Sequence, residues 1–164
     1  MAVFQGEVKS VAALLEAAKN APEHMPEKGV GVHNTAAKNA SAVQKLLAAG
    51  ESLDECWRFG ILQTLDDYTS MARRGGPTLA AGVFADEPAR TGAPQIDAAF
   101  AALAEHLALR DGWKAPTWAH DPARVTAEWY PDVPTIFRAD ADQESPDSFR
   151  NRGILITSRS LLRA

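Results

Sequence analysis

The chain has 164 residues, 46% of them hydrophobic and 23% charged, with a formal net charge of -4 and a pI near 5.5. That length supports one ordinary core without staples, and the acidic balance speaks against a coat for nucleic acid or anionic membrane, since phosphate binding needs a basic face. The single cysteine, Cys56, excludes an intramolecular disulfide and a cysteine-rich metal site, and no apolar run approaches the ~20 residues that span a bilayer.

The first ten residues, MAVFQGEVKS, lack a basic stretch followed by an apolar core, so a secretory signal is not expected and a cytoplasmic location is. Residues 8–20 predict a short helix on the stripe Val11, Leu14, Leu15 and Ala18, with Ser10 as its cap. Prolines and glycines then make 21–33 a loop. Helical periodicity returns over 34–49, where Ala36, Ala40, Val43 and Leu47 share a face and Gly50 stands just past the end.

Ser52-Leu53-Asp54-Glu55 reads as a capping box, with acids suited to the positive end of the helix dipole. It opens the longest expected helix, 53–74, striped by Leu53, Trp57, Ile61, Leu65, Tyr68 and Ala72 and stopped by Gly75-Gly76-Pro77. A linker over 77–93 with one turn near Leu79–Val83 leads to Pro94, a favourable first helical residue. Helix 94–110 presents Ile96, Phe100, Leu103 and Leu107, and should cross 53–74 to floor the core.

Beyond Gly112 short helices are expected over 122–128, 133–139, 146–152 and 157–163, with Asp121, Ser145 and Thr157 as caps. Ile154-Leu155-Ile156 has no evident strand partner and reads as extended or buried loop. The expected architecture is a single all-α domain over 1–164, with two long core helices and a C-terminal half of short ones.

Catalytic motifs are missing. None of His24, His33, His106 and His120 form HxxxH or HExxH, and neither phosphate-loop pattern occurs. Cys56 sits in a helix first turn, where thiol pKa falls, but its place beside Leu53 and Gly60 favours burial. Helices 34–49 and 53 onward have helix-turn-helix spacing, yet Glu51, Asp54 and Glu55 would face phosphates, so a core hairpin is the better reading. The chain therefore leans away from an enzyme, and no metal or cofactor is expected.

The remaining signal is aromatic and basic. Trp and Arg dominate interface hot spots, so Trp118, Trp129, Phe149, Arg150 and Arg152 are the candidate residues for binding a protein partner. The alternative is a small-ligand or enzyme pocket between the two long helices, lined by Trp57, His106 and Trp118.

The run from Glu87 to Ala108, then Pro116-Thr117-Trp118, Trp129 and the closing Ser145-Pro-Asp-Ser-Phe-Arg-Asn-Arg-Gly-Ile, resembles a group of uncharacterised actinobacterial helical domains. In many of these the domain follows a helix-turn-helix regulator. The resemblance covers about 41–164 and implies a non-enzymatic, antitoxin-like partner of a nucleotidyltransferase-type toxin, with no catalytic residues to carry over. The first forty residues lack a Gln-x-x-x-Ala-x-x-x-Gly regulator core, so the DNA reader that accompanies the domain elsewhere is not expected here.

Overall fold

The computed structural model describes residues 11–12 and 31–163, and the chain divides into two units, Met1–Gly31 and Val32–Ala164. The expected helix 8–20 and most of the loop 21–33 lie outside the described residues. Within the second unit the structure is all-α, with no named strand among the described residues. None of its helices is long and apolar enough to cross a membrane.

Helix α1, Ala36–Ala48, starts where the Thr35 side chain accepts the Lys38 N–H at 3.2 Å. Its end is a Schellman arrangement: Glu51 N–H donates to the Leu46 carbonyl and Gly50 N–H to that of Leu47, both at 3.0 Å. Ala36, Ala40 and Val43 are fully buried, as their spacing requires.

Ser52 caps α2, Leu53–Cys56, by accepting the Glu55 N–H at 3.2 Å, which is one half of the expected box. Helicity continues through a π-helical segment, Trp57–Leu62, into α3, Gln63–Ala80. The Thr64 hydroxyl donates to the Gly60 carbonyl at 2.7 Å, tying this segment to the first turn of α3. A Cβ on Gly60 would stand 2.5 Å from Val43 Cγ2, so the bare glycine lets α1 lie close against the π segment.

The expected stop at Gly76 is real, for its backbone leaves helical space at φ 79 and ψ 179. Pro77, free of any need for an N–H, then restarts the helix. The supposed linker is thus helical to Ala80 and runs on as a 3-10 turn, Ala81–Phe84.

Helix α4, Pro94–Asp111, is the centre of the unit. Ile96, Phe100, Leu103 and Leu107 are fully buried, but so are Ala98, Ala99, Ala101, Ala102 and Ala104. A helix apolar on all sides is one enclosed on all sides. The π segment, a 3-10 turn at Thr117–His120 and the short helix Asp147–Arg150 pack around it. It ends at Gly112 in the left-handed conformation, φ 76.

The C-terminal half departs from expectation at three points. No helix forms over 122–128; Asp121 instead accepts the Ala123 N–H at 2.8 Å in a side-chain turn. Residues 126–129 run alongside 152–155, with Thr126 N–H donating to Arg152 O at 3.0 Å, Trp129 N–H to Gly153 O at 2.9 Å and Leu155 N–H to Trp129 O at 2.9 Å. Ile154 therefore does have a partner, in a parallel bridge to Trp129. Ser145 is no helix cap: its hydroxyl donates to Ile154 O at 3.0 Å and accepts from Ile156 N–H at 3.3 Å.

The other short elements are close to their expected places. A 3-10 turn at Thr135–Phe137 leads into α5, Arg138–Glu144; α6 spans Asp147–Arg150; and Thr157 opens a 3-10 turn, Ser158–Leu161, with a reciprocal box to Ser160.

Candidate functional site

Of the five residues proposed from sequence for partner binding, three are interior. Trp118 is 7% exposed and donates its ring N–H to the Phe84 carbonyl at 3.1 Å. Phe149 is fully buried, its ring centroid 6.3 Å from that of Trp57 and 5.9 Å from His106. Arg152 is buried as well. Its guanidinium pairs with Glu105 at 2.9 Å and donates to the carbonyls of Ala119 and Arg124, lacing the 117–126 segment to α4.

This burial follows from what arginine can do when its charge is met: five donors in a fixed fork satisfy several carbonyls and one carboxylate together. Arg124 behaves the same way. It is 1% exposed, donates to Glu87 at 2.9 Å and Pro88 O at 2.6 Å, and lies over the Trp118 ring at 5.3 Å. Sequence spacing carries no mark of either arrangement, because every hydrogen-bond partner is distant along the chain.

Two of the five reach the surface. Arg150 is exposed and covers the C-terminal carbonyls of α5, donating to Asp142 O and Gln143 O at 3.1 Å each, the favourable place for a cation on a helix dipole. Trp129 is half-buried, edge-on to Trp57 at 5.9 Å, and lines a shallow cleft with Tyr130, Arg138 and Asp54.

The alternative pocket fares differently. Trp57 and His106 both pack edge-on against the fully buried Phe149 ring, and Trp118 packs against Phe84. Burial, and then Arg110, push the His106 pKa below its ordinary value. Cys56 is buried and its thiol is pushed up, first by burial and then by Glu51 and Glu55, so the helix start does not activate it. Among the described residues no group of three or more His, Cys, Asp or Glu could hold a metal ion.

Two polar knots are internal ties. Asp67 accepts from the amides of Asn34, Asn39 and Gln63 at 3.3, 2.9 and 3.1 Å, joining the start of α1 to α3. The Tyr68 hydroxyl donates to Asp111 at 2.6 Å while accepting the Trp113 ring N–H at 2.8 Å.

The surface offers two further concavities. One is a groove along α1 and the π segment, lined by Lys38, Ser41, Ala42, Lys45, Leu46 and Phe59. Phe59 is 57% exposed there, two residues after the buried Trp57. A large aromatic on the outer side of a helical stripe is legible in sequence, though a stripe of buried positions does not include it. The other is a cleft of about 230 Å³ between α5 and the Thr157–Ser160 turn. No protein-family model, curated protein or solved structure matches the chain.

Proposed function

We propose that the chain is a non-enzymatic protein-interaction module that receives a helical segment of its partner in the groove of α1 and the π segment. The observation that carries this reading is Phe59, a large aromatic more than half exposed in a groove it shares with Leu46, Lys38 and Lys45. An amphipathic helix laid in such a groove buries its apolar face on the ring, and aromatic anchors of this kind carry most of the energy of an interface. Lys38 and Lys45 form a basic rim on a chain of net charge -4, which suits a partner segment with flanking acids.

The reading moves the recognition surface from the C-terminal half to the α1 face, because Trp118, Phe149 and Arg152 are committed to the core. The resemblance over 41–164 makes a nucleotidyltransferase-type toxin the first partner to co-express with it. The test is a pull-down of the tagged chain from its native cells, beside Phe59→Asp and Lys45→Glu variants whose circular dichroism matches wild type. A stoichiometric partner that the Phe59→Asp chain loses supports the reading. A bait that returns alone, or a partner held equally by the variant, overturns it.

A further inference from the structure

We propose that the cleft between α5 and the Thr157–Ser160 turn is a binding site for a free α-amino acid with an apolar side chain. The floor is Val133, Pro134 and the half-open ring of Phe137, which is 44% exposed. One wall is α5, with Asp140 and Glu144 one turn apart on the side facing the cleft. The opposite wall is Thr157, Ser158, Arg159 and Ser160.

The charges on these walls are what select the ligand. Glu144 is already engaged, accepting the Ser158 N–H at 2.7 Å and so holding the two walls together. A third lining carboxylate, Asp132, is paired with Arg58 at 3.0 Å. Asp140 and Arg159 make no ion pair within 4.0 Å and no side-chain hydrogen bond among the described residues, although Arg159 lies near enough to Glu144 to add to the lowering of its pKa that the Ser158 hydrogen bonds begin. A carboxylate on one wall and a guanidinium on the other, neither held in an ion pair, above an apolar floor, complement an ammonium, a carboxylate and a hydrocarbon side chain in one small molecule. Arginine grips a carboxylate through two parallel N–H donors, and Thr157 and Ser158 add hydroxyls beside it.

Size agrees with charge. Drug-sized ligands occupy pockets of roughly 300–1,000 Å³, and about 230 Å³ suits something smaller. A ligand with one charge would engage only one of the two walls. That is the basis of selectivity for the zwitterion over the related amine or acid.

The test is isothermal titration calorimetry of the full chain with L-phenylalanine and L-leucine, beside phenethylamine and 3-phenylpropanoate, which lack the carboxylate and the ammonium. Amide chemical shifts of residues 133–144 and 157–160 are followed in parallel. The expected result is saturable binding of the amino acids, with shifts confined to those residues. Either one-charge analogue, or either of the variants Arg159→Gln and Asp140→Asn, should bind about tenfold more weakly or worse. Both variants change exposed side chains, and unaltered thermal melting confirms that they fold.

No saturable signal with either amino acid up to about 10 mM, a concentration that would reveal even millimolar affinity, overturns the proposal. So does binding that both variants retain, or that the analogues match. Phe59→Asp leaves this cleft intact, so the outcome is independent of the partner groove.

Discussion

Gly153 shows how much a single residue decides in the C-terminal half. Its φ of +83 lies in the left-handed region, and an added Cβ would stand 2.2 Å from the Thr126 carbonyl oxygen. The pairing of 126–129 with 152–155 brings that carbonyl so near, and only a residue without a side chain tolerates it. Left-handed backbone costs an ordinary residue about 1–2 kcal/mol, and here the collision with fixed backbone adds to it. Gly153→Ala should therefore lower the melting temperature by about 5 °C or more. Gly50→Ala, at φ +85 with nothing within 4 Å, should lower it by clearly less. Equal shifts in calorimetry would show that the close approach to Thr126 is absent in solution.

At the scale of elements, the helix starts are set by local chemistry. Thr35 and Ser52 each accept one N–H that no helical carbonyl partner exists to satisfy. Replacing either by alanine should cost about 1 kcal/mol. The two caps lie on different helices and share no partner, so the double variant should lose close to the sum. Urea denaturation gives both numbers; a neutral Ser52→Ala would mean that the π segment and its packing against α1, rather than the cap, hold α2 in place. The C-terminal elements answer to other forces. Residues 121–128 carry a proline at Pro122 and could have begun a helix after Asp121, yet 121–124 close in a turn and the chain from Thr126 pairs with 152–155 instead. Local propensity is a weak prior when a distant segment supplies the backbone partners.

For the molecule as a whole, the tie between Tyr68 on α3 and Asp111 at the end of α4 makes stability depend on alkaline pH. Burial first, and then the hydrogen bond to Asp111, push the Tyr68 pKa up to about 12. The folded state thus favours the neutral phenol. Its contribution is complete below the unfolded value of about 10 and is lost as pH rises from there toward about 12. The urea midpoint of the wild type should accordingly fall more steeply than that of Tyr68→Phe between about pH 9.5 and about pH 11.5. Parallel curves would show that the hydroxyl is not held in this way. The difference isolates Tyr68, because the rest of the chain is the same in both proteins.

By itself the sequence determined the all-α class, the helices 36–48, 53–75 and 94–111 to within a residue or two, the breaks at Gly50, Gly76 and Gly112, and the buried stripes. Each of these rests on periodicity, caps and breakers that act over a few residues. Only the tertiary structure decided that Arg124 and Arg152 are core residues, that Ile154 pairs with Trp129, that Phe149 packs against both Trp57 and His106, and that the open surfaces lie at Phe59 and at the α5 cleft. Those outcomes depend on partners tens of residues away, and a local pattern holds no record of which carbonyls will surround a guanidinium or which ring will fill a gap.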